Sequence, residues 1–313
     1  MNPIFLTLFQ AIVVLGLAPF AVGCVRFFKA RLQGRRGASP FLPYVALATL
    51  LRKQMVISDG VSWVFRLTPY VVLASGLFIA LVLPLAAFGG ALDAYGDMFV
   101  VAGVLVLGAV FLVMGGLDAG SAFGGMGASR EMTLTSLLEP TVIVTFATLA
   151  LASRTTSVGG MLASGVTIAQ APYLVLTLAA LGLVALAENA RYPVDNPATH
   201  LELTMVHEAM ILEYSGPYLA MLEYASALKL TAFALLIGNI LVPATLAAPG
   251  ATMAGLLAAA VAAVVKLVAA MAVLALLESV ISKMRFYRMQ EYMTGAFLLA
   301  LGGLALSLIQ RAV

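Results

Sequence analysis

Long runs of apolar residues, separated by short polar segments, dominate this chain. The pattern predicts eight membrane spans, each near the roughly 20 residues that an α-helix needs to cross a bilayer. They cover approximately residues 3–25, 67–88, 98–117, 133–152, 169–187, 226–247, 251–277 and 292–309. The runs are continuous rather than alternating, which excludes a transmembrane β-barrel. We therefore expect an all-α integral membrane bundle that forms one transmembrane domain over residues 1–313.

The composition supports this class. Hydrophobic residues make up 63% of the chain, charged residues only 10%, and the mean hydropathy is +1.07, far from the values of soluble domains. The first apolar run starts at residue 3 with no basic segment before it. We therefore interpret it as a span rather than a cleavable signal peptide.

A shorter apolar segment, Phe41–Met55, lies between the first two spans and is too short to cross a bilayer. Pro40 and Pro43 mark its start, and Arg52 and Lys53 lie near its end. Two interpretations fit this pattern equally: an amphipathic helix in the membrane interface, whose basic residues reach the headgroups, or a loop helix packed on the bundle.

Basic residues predict the orientation of the bundle. Most of the 17 lysines and arginines fall in loops that follow the odd-numbered spans. Because such loops remain in the cytoplasm, both termini are expected to face outward. The predicted cytoplasmic side then contains a first loop, residues 26–66, and an acidic loop, residues 187–229. The basic charge therefore informs topology and gives no indication of nucleic-acid binding.

The acidic loop holds six of the fourteen acidic residues and both histidines. Carboxylates concentrated between membrane spans are costly, which predicts that this loop is the functional centre. The residues from Thr199 to Tyr214 can form a helix on which Glu202 and Glu213 share one face and His200 and His207 another. The alternative interpretation is a solvated acidic loop helix without a function of its own.

Metal and redox sites find little support in the sequence. His200 and His207 are seven residues apart and position 211 is isoleucine, so the zinc-protease pattern is not met. Cys24 is the single cysteine. A self-contained iron–sulfur or cysteine-based zinc site is therefore excluded, and any redox centre is expected in a partner.

Three polar residues inside predicted spans are candidates for a role in function or packing. Glu139 precedes Pro140 in span 4, and it either carries a function or satisfies backbone groups freed by the proline. Lys266 lies near the middle of span 7 and either pairs with another helix or extends towards the headgroups. Asn239 in span 6 is more typical of a helix–helix contact than of a site.

The loop sequence AENARYPVDNPATHLELTMVHEAMILEYSG resembles a known signature. It is similar to the A-E-T-N-R-x-P-F-D motif of the complex I membrane subunit beside the quinone site. It is more similar still to the homologous membrane subunit of group 4 [NiFe] hydrogenases, of the formate hydrogenlyase and hydrogenase-4 type. Three further segments carry the resemblance: GRRGASPFLPYVALATLLRKQ, the spacing of Arg130 and Glu139, and KMRFYR at 283–288. The resemblance covers essentially the whole chain.

The resemblance implies a bundle of eight helices that anchors a peripheral electron-transfer arm and binds no cofactor itself. The implied partners are hydrogenase large and small subunits, an iron–sulfur subunit and antiporter-like membrane subunits in a prokaryotic cytoplasmic membrane. The [NiFe] centre and the iron–sulfur clusters would belong to those partners. The residues implied in a proton relay are Glu139, Glu188, Asp195, Glu202, Glu208 and Glu213, with Arg130 and Arg191 as basic partners. Those implied in subunit docking are Arg35, Arg36, His200, His207, Lys283, Arg285 and Arg288.

Departures from the complex I pattern favour the hydrogenase branch. His200 and His207 replace central residues of the complex I signature, and Ala48 stands where an aspartate is expected in the first loop. Two alternatives stay open: the quinone-site subunit of a complex I-type dehydrogenase, and a stand-alone secondary transporter. The second would show inverted repeats, and none is evident in the sequence.

Overall fold

The computed structural model describes residues 2–166, 168, 170–195, 205–248, 251–281 and 286–312. Within these residues the chain is an all-α bundle, which confirms the predicted class. The helices are α1 (Pro3–Leu32), α2 (Leu42–Arg52), α3 (Trp63–Val82), α4 (Met98–Asp118), α5 (Ala122–Ser153), α6 (Val158–Ala163), α7 (Leu174–Glu188), α8 (His207–Ile211), α9 (Gly216–Leu241), α10 (Met253–Val280) and α11 (Phe286–Ala312). Single 3₁₀ turns lie at Asp93–Tyr95 and Pro243–Thr245.

Seven of these helices are long and apolar enough to cross a membrane, among the residues that the structure describes. They are α1, α3, α4, α5, α9, α10 and α11. The fifth predicted span corresponds to α7, which has 15 residues and is shorter than the predicted 169–187. The protein is therefore a multi-pass membrane protein, whose described residues form seven long apolar helices and two shorter ones, α2 and α7.

Polar residues placed directly before a helix explain where several helices begin. The Asp97 carboxylate accepts a hydrogen bond from the Phe99 amide at 2.9 Å, and the Ser121 hydroxyl accepts one from the Gly124 amide at 3.1 Å. Such caps satisfy amides that have no partner inside the helix. The Ser121 cap starts α5 at Ala122, eleven residues before the predicted start of span 4. The sequence pattern misses the N-terminal part of this helix because its glycines and charges resemble a loop.

Helix α9 occupies the centre of the bundle and is the most deeply buried of the seven long helices. It packs against α1, α2, α3 and α10, while α11 packs against α5 and α7. It begins at Gly216, ten residues before the predicted span 6, so the acidic loop is shorter than predicted. Glu223 and Lys229 consequently lie on the central helix rather than in a loop.

The prediction of a continuous helix from Thr199 to Tyr214 is wrong. Met205 and Val206 are not helical, and α8 covers only His207–Ile211. The Asp195 carboxylate accepts hydrogen bonds from the amides of Val206 and His207, at 3.2 and 3.3 Å, and so fixes the start of this short helix. His200 and Glu202 lie outside the described residues, as do Lys283 and Arg285.

The first loop and the acidic loop meet at one end of the bundle. The Ser215 hydroxyl accepts a hydrogen bond from the Val56 amide at 2.9 Å and donates one to the Val56 carbonyl at 3.0 Å. Asp118 at the end of α4 accepts hydrogen bonds from the Ser62 and Phe65 amides at this same end. We call this end of the bundle, where the first loop and the acidic loop meet, the charged end. Its assignment to the cytoplasm remains a prediction.

Candidate functional site

Ion pairs between described residues of different segments hold the charged end together. Lys29 on α1 and Arg191, after α7, both contact the Glu278 carboxylate on α10, at 3.1 and 3.4 Å. Lys229 on α9 contacts Glu188, the last residue of α7, at 3.1 Å. The Glu278 side chain is 2% exposed, so removal of a cation that contacts it would leave a carboxylate shielded from water.

Three neighbouring cavities extend from the charged end into the bundle. The loop-side cavity, of about 120 Å³, lies between α1, α2, α9 and the acidic loop. The central cavity, of about 40 Å³, lies between α3, α4, α5, α7 and α9. The lateral cavity, of about 230 Å³, lies between α4 and α5 and reaches the end of α7.

Each cavity shares wall residues with the next. Asn189, Ala190, His207 and Ser226 line both the loop-side and the central cavity. Glu188 lines both the central and the lateral cavity. The three cavities therefore form a series with common walls.

Carboxylates line every member of this series. Asp195, Glu208 and Glu223 line the loop-side cavity. Glu131 and Glu188 line the central cavity, and Glu139 and Glu188 line the lateral cavity. Each carboxylate therefore shares a cavity with another, an arrangement that can pass protons if water fills the gaps.

The structure thus brings four of the six predicted relay residues to one cavity series, Glu139, Glu188, Asp195 and Glu208, together with the predicted basic partner Arg191. Glu213 is exposed and lines none of the three cavities. The Arg130 guanidinium donates to the Met205 carbonyl at 2.9 Å, which attaches α5 to the acidic loop. Arg35, Arg36 and Arg288 are exposed.

Glu139 has no hydrogen-bond partner among the described residues, so the proposed bond to backbone groups freed by Pro140 is not seen there. The negative charge of Glu188 repels a negative charge on the Glu139 carboxylate. A carboxylate in this position is more typical of a functional group than of a structural one.

The environment of the acidic loop shifts the pKa values of His207 and Arg191. Burial, and after it the positive charge of Lys229, lower the pKa of His207 to about 4, while Asp195 opposes the shift. The imidazole is therefore neutral at physiological pH. Burial also lowers the pKa of Arg191, and Glu278 opposes this effect.

The sequence alone does not indicate that Glu131, Lys229 and Glu278 belong to this site. Glu131 follows Arg130 directly, in a segment whose glycines resemble a loop. Lys229 resembles an ordinary basic loop residue in sequence. Glu278 stands at the end of its predicted span, but its partner Lys29 lies 249 positions away in sequence, a distance that no local pattern bridges.

Lys266 contacts another helix. Its ammonium group donates to the Asn239 amide oxygen at 2.7 Å and to the Val242 carbonyl at 2.8 Å, both at the end of α9. Asn239 in turn donates to the Pro84 and Leu85 carbonyls, which confirms its role as a contact between segments. Lys266 borders an apolar groove of about 650 Å³ between α7, α9 and α10.

No group of three or more histidine, cysteine or carboxylate residues is arranged to hold a metal ion in the part of the chain that the structure describes. Cys24 is a free, buried cysteine on α1. The site is therefore built from carboxylates, basic side chains and one neutral histidine.

Comparisons with known proteins agree with this architecture. The family described as NADH dehydrogenase matches residues 4–309. Formate hydrogenlyase subunit 4 of Escherichia coli (strain K12) is 32% identical over 280 residues, which cover 89% of this chain and 90% of the relative. Hydrogenase-4 component C of the same organism is 33% identical over 244 residues, which cover 77% of this chain and 76% of the relative.

The fold also has a solved counterpart. The chain matches a subunit in the structure of the membrane-bound sulfane sulfur reductase, an archaeal respiratory membrane complex, with a TM-score of 0.84 and 18% identity. The match covers 98% of this chain and 100% of that one, and at this identity it shows a shared fold. Together with the family match and the two E. coli relatives, it leads to one conclusion: this chain belongs to the NADH dehydrogenase family of membrane subunits.

Proposed function

We propose that this chain is the membrane subunit of a multi-subunit [NiFe]-hydrogenase complex. In this proposal it anchors the peripheral arm and links the redox chemistry of that arm to proton translocation. The observation that carries the proposal is the series of three carboxylate-lined cavities that starts at the charged end and reaches Glu139 inside the bundle. Similarity to two hydrogenase-complex subunits of E. coli supports the choice of complex.

The proposed partners supply the redox centres. The chain has one cysteine, too few thiolates for an iron–sulfur cluster of its own. The [NiFe] centre and the clusters are therefore assigned to hydrogenase large and small subunits and an iron–sulfur subunit. Antiporter-like subunits would lie beside the bundle in a prokaryotic cytoplasmic membrane, with the charged end facing the cytoplasm.

The docking surface for the peripheral arm is proposed at the charged end. Exposed Arg35, Arg36 and Arg288 lie on segments of that end, whereas His207, also predicted for docking, lies in the walls of the loop-side and central cavities. Such charges set the orientation and the rate of association rather than the affinity alone. His200, Lys283 and Arg285 belong to the same proposed surface and lie outside the described residues.

The relay is proposed to respond to charge. An electron that arrives at a cluster beside the charged end raises the proton affinity of the nearest carboxylates, because like charges disfavour ionisation. Asp195 and Glu208 in the loop-side cavity respond first in this scheme, followed by Glu188 and then Glu139. Glu202 completes the proposed set.

The second candidate function is the quinone-site subunit of a complex I-type dehydrogenase. The match to the NADH dehydrogenase family supports this candidate. The loop-side cavity also supports it, because this cavity lies between α1 and α2, where an apolar molecule from the membrane could enter. A stand-alone secondary transporter gains no support, because the family and both relatives point to subunits of larger assemblies.

The test is the isolation of the native complex through a tag on this chain, in mild detergent. We expect nickel and iron in the complex, together with hydrogen oxidation by a viologen dye. Iron without nickel, accompanied by quinone reductase activity, would favour the second candidate. A metal-free, partner-free protein would contradict both.

A further inference from the structure

More acidic than basic side chains line the central cavity. Glu131 on α5 and Glu188 on α7 line it together with Lys229 on α9. Lys229 contacts Glu188 at 3.1 Å. Glu131 hydrogen-bonds to none of the described residues, although Lys229 acts on it electrostatically. One ammonium group therefore faces two carboxylates.

No other described group in the wall balances the second carboxylate. His207 on α8 is the remaining titratable residue in the lining, and it is neutral because its pKa is about 4. Asp195, behind it in the loop-side cavity, adds negative charge rather than removing it. With both carboxylates ionised the cavity holds a net charge of about −1, which is costly in a region shielded from water.

Asn189 gives independent evidence for a small polar occupant. Its side chain is 6% exposed, and its amide nitrogen donates to the Ala185 carbonyl at 2.8 Å. Its Oδ1 atom is the one buried side-chain polar atom without a hydrogen-bond partner among the described residues. Buried acceptors are normally satisfied, so an unpaired one in a cavity wall indicates a bound donor.

The position of Asn189 identifies that donor as water. Asn189 lines both the central and the loop-side cavity, as do Ser226 and His207. The central volume of about 40 Å³ is large enough for a water molecule. Asn189 Oδ1, the Ser226 hydroxyl, the His207 ring and the Glu131 carboxylate offer the two to four polar partners that a buried water needs.

We propose that the central cavity is a proton-holding site, in which Glu131 and Glu188 share one proton opposite Lys229 and a water at Asn189 connects them to the loop-side cavity. This inference rests on the proposed relay and adds Glu131, Lys229 and Asn189 to it. A hydronium ion at the Asn189 water transfers its proton to the Glu131 carboxylate and becomes neutral water. The proton then passes through Glu188, in the shared wall, to Glu139. Glu139 lies eight residues after Glu131 on α5, which places the two residues about 12 Å apart along the helix axis.

Infrared spectroscopy of the intact resting complex tests the site without any turnover. A buried protonated carboxyl group gives a carbonyl band that shifts in D₂O. We expect one such band from this site, lost in Glu131→Gln and also in Glu188→Gln, because the remaining carboxylate is then ionised against Lys229. Lys229→Met should increase the intensity of the band, and Glu291→Gln, which changes an exposed carboxylate on α11, should leave it unchanged.

The rate of exchange into D₂O tests the water. Asn189→Leu should retain the band and slow its shift about tenfold, the effect of one lost hydrogen bond of about 1.4 kcal/mol. Asn189→Gln keeps an uncharged amide acceptor and should exchange at close to the wild-type rate.

Three results would overturn the inference. The band could persist in Glu131→Gln, it could vanish in Glu131→Gln but persist in Glu188→Gln, or Asn189→Leu could exchange at the wild-type rate. Because the spectra need no substrate, they decide the proton site whether or not the isolated complex contains nickel. Failure of the proposed function is therefore distinguishable from failure of this inference.

Discussion

The Nζ atom of Lys229 lies 3.1 Å from Oε1 of Glu188 and connects the middle of α9 to the last residue of α7. Their side chains are 25% and 10% exposed. Removal of one partner leaves the other charge in a poorly solvated place. We therefore expect Lys229→Met to lower the free energy of unfolding by an amount near the lower end of roughly 3–5 kcal/mol, since Lys229 keeps some contact with water.

The thermal unfolding midpoint of the detergent-solubilised complex checks this prediction in a double-mutant cycle. The double variant Lys229→Met with Glu188→Gln should be more stable than Lys229→Met alone, because neither charge remains unpaired. Equal losses that simply add in the double variant would show that the pair does not couple the two helices.

Glu278 contacts two cations, so replacement of Glu278 should destabilise the protein more than replacement of either cation. Glu278→Gln removes the carboxylate that Lys29 and Arg191 both contact, whereas Lys29→Met leaves the Arg191–Glu278 contact in place. We expect Glu278→Gln to lower the unfolding midpoint clearly more than Lys29→Met. Glu291→Gln on the exposed face of α11 is the control, with an expected effect within about 0.5 kcal/mol.

The sequence alone identifies most of the bundle because a membrane allows few solutions. Continuous apolar runs can only be helices there, and Glu139 stands out because a carboxylate beside a proline inside a span is rare. The acidic loop stands out for the same reason. These features depend on local composition, which a single sequence shows directly.

The parts that the sequence does not reveal depend on contacts between distant segments. Glu131 lies only one residue beyond Arg130, yet its importance comes from α9 and α7, which place Lys229 and Glu188 beside it. The non-helical backbone at Met205 and Val206 depends on hydrogen bonds to Asp195 across the loop. Helix periodicity does not reveal this break. The prediction of a continuous helix from Thr199 to Tyr214 therefore fails at Met205 and Val206.

Gly216 joins the acidic loop to the start of α9 in a conformation that strains any larger residue. Its φ angle is +54°, and a Cβ atom would lie 3.0 Å from the Gln54 carbonyl oxygen and 3.1 Å from that of Lys53. Gly216→Ala should therefore destabilise the protein by about 1–2 kcal/mol from the left-handed conformation alone. It should also loosen the contact between the two loops.

Limited proteolysis within residues 33–62, combined with thermal unfolding, measures both effects of Gly216→Ala. Gly103→Ala is a matched control, because Gly103 lies within α4 and a Cβ atom added there would meet none of the described residues within 4 Å. That variant should unfold at or above the wild-type temperature, since alanine favours a helix over glycine. Similar behaviour of both variants would mean that Gly216 is not a constrained position.

His207 should make the complex less stable in mild acid. In the folded chain its pKa is about 4 because of burial, whereas an unfolded histidine titrates near 6.5. Above pH about 6.5 both states are neutral and the residue adds no pH dependence. Between about 6.5 and 4 the unfolded state binds a proton that the folded state does not, so stability falls as the pH falls.

His207→Gln removes this contribution and keeps a polar side chain in the cavity wall. We expect the unfolding midpoint of wild type to fall more steeply than that of His207→Gln between pH 6.5 and about 4. The difference between the two proteins isolates His207, because the carboxylates and His200 titrate in both. Parallel curves over this range would mean that His207 titrates equally in both states. The imidazole would then add positive charge to the central cavity in mild acid, and the balance between Glu131, Glu188 and Lys229 would have to include it.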